Sequence, residues 1–424
     1  MQPTKTKGAL RLPNFLHRFS LAAQKLVLLG ACGLLFVVAP IHSWAGGLYI
    51  TEFGTPSMGV ANAGSGAIGN DASAAWHNPA SMTRLSGTHV QGALGFLVGN
   101  VKFDADSNTP VPGGDGGEAG ENAPILNGSV VHSLTDKLKV GFSLGSVAGA
   151  GLDYKDSWAG RQQATDVQLL TLTAIPSIAY KQHWLSVGVG LTVNYGNLDT
   201  FELRAPNPAQ SKIEIDGDDF EYGFVGGVLV EFSDQTRMSV RYLSETDYKF
   251  DGDIKVSGGA LGGLQANSDL EITFPQMVEV HFYHEINDQF AILAQADWED
   301  WSSFEDIPLT VGTAGSGAIP RNWDDTYKLG GGFHYRPAPA WLVQTGFAWD
   351  SNPVDKKDRT ADMPVDRQLR FAAGAQYQWS DRLNVGLNFT YINLGDAEIK
   401  SSNLRGDYRR NELFITALNA SWKF

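Results

Sequence analysis

The chain has 424 residues, with 46 acidic against 32 basic side chains and a formal charge of −14. That balance argues against a nucleic-acid partner, which would call for a basic face. Its one cysteine, Cys32, excludes an intrachain disulfide.

Residues 1–45 read as a secretory signal peptide. Lys5, Lys7, Arg11, Arg18 and Lys25 come without any acid, an apolar run follows from Leu26 to Ala39, and Ser43-Trp44-Ala45 fits a small-x-small cleavage site before Gly46. The apolar run is 14 residues long, whereas a spanning helix needs about 20. Leu29-Gly30-Ala31-Cys32 looks like a lipid-attachment site, but Gly33 to Ala39 is still apolar, as in the middle of a signal core. Without this leader the chain keeps 27 basic residues against its 46 acids and loses its cysteine. An acidic surface suits outer loops that face lipopolysaccharide and its bridging divalent cations. No later apolar stretch nears ~18 residues, so helical membrane spanning is excluded.

Residues 46–87 are rich in small side chains, among them Gly59, Ala61, Ala63, Gly64, Gly66, Ala67 and Gly69. Leu48, Ile50, Phe53, Met58, Trp76 and Met82 argue for packing rather than a disordered tail. The expectation is a plug held inside the domain formed by residues 88–424.

From Thr88 onward the pattern is two-residue alternation. Leu185, Val187, Val189, Leu191, Val193 and Tyr195 oppose Ser186, Gly188, Gly190, Thr192 and Asn194. Tyr327, Leu329, Phe333 and Tyr335 oppose Lys328, Gly330, Gly332, His334 and Arg336. Phe414, Thr416, Leu418, Ala420, Trp422 and Phe424 share the last such face. Connections alternate in length. Long ones are expected near 104–123, 149–167, 197–222, 251–269, 303–326, 350–368 and 395–411. Short ones run His132–Lys137, Tyr180–Trp184, Phe232–Arg237, His284–Gln289, Arg336–Trp341 and Trp379–Leu383. Seven long and six short connections join 14 strands. An even count with short periplasmic turns and long outer loops is the pattern of an outer-membrane barrel. The fold expected over 88–424 is therefore an all-β, 14-stranded antiparallel transmembrane barrel, a monomer with both termini periplasmic. Trp184, Trp298, Trp301, Trp341, Trp349, Trp379 and Trp422 at strand ends fit interfacial girdles. The terminal Phe424, with Trp422 and Ala420 at two-residue steps, resembles the signature shown to the barrel assembly machinery.

Catalytic chemistry is not evident. His281 and His284 lie on opposite faces of a strand and cannot share a metal, so neither metal nor cofactor is expected. No nucleophile–base–acid set stands out for an outer-membrane phospholipase, and a plug argues against a water-filled porin. Outer loops could serve an adhesin or phage receptor. TonB-coupled transport would need a far larger plug and a barrel of about 22 strands.

Several motifs carry a family likeness. Gly46-Gly47-Leu48-Tyr49-Ile50-Thr51-Glu52-Phe53-Gly54, then Gly64-Ser65-Gly66-Ala67-Ile68-Gly69-Asn70-Asp71-Ala72, then Trp76-His77-Asn78-Pro79-Ala80 resemble the hatch of FadL-type outer-membrane transporters. Asp156-Ser157-Trp158-Ala159-Gly160-Arg161, Pro176-Ser177-Ile178-Ala179-Tyr180 and Trp323-Asp324-Asp325-Thr326-Tyr327 are similar too, and the likeness covers essentially 46–424. It implies a 14-strand barrel plugged by its N-terminus. A fatty acid or aromatic hydrocarbon would reach an apolar pocket and leave sideways into lipid through a kinked third strand. The resemblance makes Gly46, Phe53, Asn78, Pro79 and Ala80 hatch or gating residues. It places the gap on Gly141, Gly145 and Gly149. Arg161 becomes the candidate for a ligand carboxylate, with Arg204 and Lys212 behind it.

Overall fold

The computed structural model describes residues 49, 51, 54–146, 148–206, 210–259, 262–304, 306–312 and 315–424. The expected leader, Gly46 and Phe53 lie outside these residues.

Between Gly54 and Gly87 the chain forms four short helical turns, Pro56–Val60, Ser65–Ile68, Ala74–His77 and Pro79–Arg84. Twenty strand segments follow. They are β1 (Thr88–Ala105), β2 (Asn122–Ser133), β3 (Leu138–Gly145), β4 (Gly149–Asp153), β5 (Asp166–Gln182), β6 (Leu185–Arg204), β7 (Lys212–Glu231), β8 (Thr236–Leu243), β9 (Thr246–Ser257) and β10 (Leu264–Phe274). Then come β11 (Met277–Glu285), β12 (Phe290–Glu299), β13 (Asp306–Val311), β14 (Gly315–Pro320), β15 (Thr326–Ala338), β16 (Trp341–Asp350), β17 (Gln368–Gln378), β18 (Leu383–Asn393), β19 (Ile399–Lys400) and β20 (Arg405–Lys423). β3–β4, β8–β9 and β10–β11 are single staves interrupted once, while β13, β14 and β19 are hairpin additions at the outer end. Fourteen antiparallel staves remain. The ring closes through β1 and β20, paired from His89↔Lys423 to Ala105↔Gly406. Closure leaves no free sheet edge around most of the wall, which lipid would not solvate.

The two faces are reversed relative to a water-soluble protein. Arg237, Arg241, His281, Asp297, Lys328 and Arg370 point inward and are buried, whereas Leu94, Phe96, Val189, Phe224, Leu329 and Leu418 point outward and are exposed. A continuous apolar outer belt over a polar lumen is what lipid selects. Among the described residues no helix is long and apolar enough to cross a membrane.

The short turns fall where alternation places them, but several long connections hold strand: 149–167, 303–326 and 395–411 contain β4, β13 with β14, and β19, and two others are taken up by lengthened staves. β6 and β7 pair as far as Arg204↔Lys212, and β9 and β10 as far as Val256↔Leu264. Much of 197–222 and 251–269 is thus strand, not loop. Charged residues on both faces there erase the apolar alternation while the backbone ladder continues. The Trp girdle also needs correcting. Trp184, Trp341, Trp379 and Trp422 are exposed at the short-turn end, but Trp301 is buried. It follows the end of β12, its indole N–H donates to Glu299 Oε2 at 2.7 Å, and it packs on Tyr49 and Trp323.

Candidate functional site

The turns of the N-terminal segment pack on inward faces around the ring. Val60, Ala63, Ala67 and Ile68 share a buried cluster with Leu229, Tyr283 and Leu293, while Ala74, Ala75 and Met82 join Val131 and Ala179. Arg237 of β8 donates to the carbonyls of Ala67 (2.5 Å) and Ile68 (3.2 Å), closing the C-terminal end of Ser65–Ile68. Asn78 is fully buried and caps the last turn: its Oδ1 accepts from Ala80 N at 2.9 Å, with Pro79 at the first helical position. Its Nδ2 donates to the carbonyls of Val240 (3.1 Å) and Val228 (3.4 Å) on the wall. A Cβ on Gly188 would lie 2.5 Å from Ala80 N, so a bare glycine in β6 lets the Asn-Pro-Ala backbone seat this closely. Asn78→Ala should loosen the turn by about 1–2 kcal/mol, seen as faster hydrogen exchange over residues 80–84 with the barrel intact.

His77 sits beside this cap, its Nε2 2.9 Å from Thr55 Oγ1. Burial pushes its imidazole down from 6.5 to about 3; Glu279 opposes this, and His281 and Arg241 add to it. Unfolded, the ring titrates near 6.5. The folded form therefore binds fewer protons between the two values. Stability contributed by neutral His77 is full above pH 6.5 and is lost as pH falls toward 3. Asp71, which burial raises from 3.8, has the opposite sign and weakens the fold as pH rises above that value. Acid-induced exchange of the N-terminal segment should flatten in His77→Gln.

The third stave breaks between Gly145 and Gly149. β3 pairs with β2 only as far as Gly128↔Leu144, and β4 pairs with β5. Among the described residues, the links from the β2 side beyond the break are isolated bridges, Gly120 to Leu152 and Gly114 to Trp158, with Lys155 N donating to Gly116 O at 3.0 Å. At the break, Thr171 of β5 supplements the ladder with its side chain: Thr171 N donates to Ala148 O (3.3 Å), Ala148 N donates to Thr171 Oγ1 (3.1 Å), and Oγ1 donates to Ala148 O (2.7 Å). Gly145 faces the N-terminal segment, where a Cβ would lie 3.1 Å from the Trp76 ring and 2.9 Å from Asn127 Nδ2. Gly141 lies against Ala75 and Met82 in the same way. Tyr49 bridges to Ala148 from the lumen side.

Tyr49 also fills the space beside the break. Its hydroxyl donates to Pro275 O at 2.9 Å, and its ring meets Phe274 and Trp301. Two small cavities flank it. One, about 10 Å³, lies among Ile175, Leu243, Tyr248 and Phe274; the other, about 30 Å³, among Asn62, Trp76, His77, Met277 and Glu279. Arg241 lines both, and its guanidinium is ion-paired to Glu279.

Arg161 lies elsewhere, in an outer loop. Its Nη1 donates to the carbonyls of Pro112 and Trp158, each at 2.8 Å. Arg204 pairs with Asp156 at 2.9 Å and Lys212 with Glu202 at 2.5 Å. Arg241 escapes a search of the sequence for loop cations. The available signal is Arg237-Met238-Ser239-Val240-Arg241, which puts two arginines on the polar face of one strand. Asp297 is equally hidden, because cross-strand pairing, not spacing, sets it opposite Glu279.

Comparison with known proteins agrees with this architecture. The family described as "Outer membrane protein transport protein (OMPP1/FadL/TodX)" matches residues 36–424. The long-chain fatty acid transport protein of Escherichia coli strain K12 is 25% identical over 402 residues, covering 83% of this chain and 88% of the relative. Outer membrane protein P1 of Haemophilus influenzae is 22% identical over 429 residues, covering 88% and 91%. Among solved structures, a Pseudomonas aeruginosa FadL homologue superposes with a TM-score of 0.81 at 22% identity, covering 89% of this chain and all of that one. The Ralstonia pickettii toluene transporter TbuX gives 0.67 at 17%, covering 88% and 98%. The chain is a bacterial outer-membrane barrel and belongs to the OMPP1/FadL/TodX family of outer-membrane transport proteins.

Proposed function

We propose that this transporter takes up long-chain fatty acids by diffusion and releases them sideways into the bilayer. The observation that carries the proposal is the interrupted ladder between β2 and β4, lying beside two small cavities of mixed apolar and polar lining that flank Tyr49. Residues 46–87 act as the hatch, seated by Asn78, Pro79 and Ala80, and Gly46 and Phe53 belong to it. Displacing Tyr49 joins the two cavities and frees the edge at Ala148, where Gly141, Gly145 and Gly149 flank the exit. An acyl chain entering this pocket gains about 25 cal/mol per Å² of apolar surface removed from water. The gap then delivers it to lipid without a second aqueous crossing. Residues 1–45 are removed on export, and the barrel assembly machinery inserts the mature chain as a monomer among lipopolysaccharide and lipid.

The carboxylate is assigned to Arg241, a buried cation that already holds a carboxylate beside the apolar rings. Arg161 is the outer-loop alternative. Fatty acid is favoured over aromatic hydrocarbon because a hydrocarbon has no use for that cation. The test is calorimetric binding of oleate and of toluene to the folded protein in detergent. Oleate binding supports the proposal. Toluene binding alone converts the protein to a hydrocarbon channel. Binding of neither, with liposomes leaking small sugars, replaces it with a porin.

A further inference from the structure

We propose that the luminal wall binds one divalent transition-metal ion of the zinc class through Glu279 and His281 of β11 and Asp297 of β12. The register sets Glu279 directly opposite Asp297, and His281 lies two residues along on the same inward face. One ligand atom from each lies within 4.8 Å of the others, and all three residues are enclosed. The histidine is the informative member. It is 1% exposed, and neither ring nitrogen has a hydrogen-bond partner. Glu279 Oε1 lies 4.0 Å from its Nε2. Asp297 Oδ1 is also buried without a partner. Buried imidazoles and carboxylates left unpaired are unusual, and a bound ion is one of their standard explanations.

The local charges point the same way. Arg241 pairs with Glu279, Arg370 with Asp350 at 3.0 Å, and Lys328 lies 3.4 Å from Asp350 and 3.9 Å from Glu299. Among the described residues, no such ion pair involves Asp297. Four carboxylates thus face three cations, and the one without a partner belongs to the triad. A bound divalent ion supplies the missing positive charge where water cannot.

One imidazole with two carboxylates suits zinc, manganese or ferrous iron, whereas calcium and magnesium favour all-oxygen shells. Tetrahedral zinc holds its ligand atoms about 3.4 Å apart, so the triad must close slightly. The cavity of about 30 Å³ that Glu279 lines gives room for water at an open position. The N-terminal segment covers the site, since a Cβ on Gly66 would lie 2.7 Å from the His281 ring. The site shares Glu279 with the carboxylate pocket, where Arg241 pairs with it, while His281 and Asp297 belong to the ion site alone.

The experiment uses folded protein in detergent, stripped with EDTA and titrated calorimetrically with Zn²⁺, with Co²⁺ absorption as an independent readout. Wild-type protein should take one ion per chain. His281→Ala and Asp297→Asn should each weaken Zn²⁺ binding by about 100-fold or more and abolish the tetrahedral Co²⁺ spectrum. His284→Ala should leave both unchanged, because that ring faces outward and pairs with Thr236 Oγ1 at 2.8 Å. Heat-dependent gel mobility confirms that each barrel is folded. The near-isosteric Asp297→Asn decides the matter if His281→Ala does not fold. Absence of bound ion in the wild type, or equal Zn²⁺ affinity in Asp297→Asn and His284→Ala, overturns the proposal and leaves a proton shared between the two carboxylates.

Discussion

Oxidation of an Asn127→Cys/Gly145→Cys variant should abolish oleate uptake, and reductant should restore it. The pair is chosen from the register. Gly128↔Leu144 is the last rung between β2 and β3, and continuing it by one residue places Asn127 opposite Gly145. Both face inward, and a Cβ on Gly145 would lie 2.9 Å from the Asn127 amide. Opposed residues on neighbouring strands have Cβ atoms about 4.5–5.5 Å apart, so a small closing of the two staves reaches the roughly 3.5–4.5 Å that a disulfide needs. The bond would staple β2 to the third stave at the mouth of the gap. Cys32, the chain's own cysteine, falls in the expected leader, so it should not compete. Equal uptake before and after reduction would mean that the ligand leaves by another route.

Arg241→Gln, made together with Glu279→Gln, should weaken oleate binding about 10- to 150-fold and leave toluene binding unchanged. The range follows from the roughly 1.5–3 kcal/mol of a hydrogen bond to a charged group. The double substitution matters, because removing the arginine alone would strand a buried carboxylate at a cost of about 3–5 kcal/mol. Toluene serves as the internal control for a pocket that has kept its shape. If oleate weakens in Arg161→Ala and not in the double variant, the carboxylate rests in the outer loop instead.

Much of the barrel is legible in the chain. Leu185 to Tyr195 and Phe414 to Phe424 alternate so regularly that strand, facing and span length follow together. Loop lengths then set the number of staves. Legibility ends where two-residue periodicity loses its apolar contrast. The β6–β7 ladder above the belt carries Asp and Glu on both faces, so it resembles a loop. The interior is harder still to read, because its chemistry is made by neighbours distant in sequence. Tyr49 meets Phe274, Arg241 meets Glu279, and Glu279 faces Asp297; no local pattern announces any of these pairs. Arg161 draws attention because it sits in a recognisable motif, yet its guanidinium donates to loop carbonyls. Trp301 has the position of an interfacial anchor and is a core aromatic, since the strand ends just before it.

The close seating of the Asn-Pro-Ala backbone against Gly188, and of Val60 against Gly346, has a consequence for the whole cell. Where the described residues seat this closely, they leave no room between segment and wall for hydrated ions. In a planar bilayer the protein should be electrically silent even while it passes a greasy solute. A bacterium could then carry many copies without discharging its Donnan potential or admitting hydrophilic antibiotics.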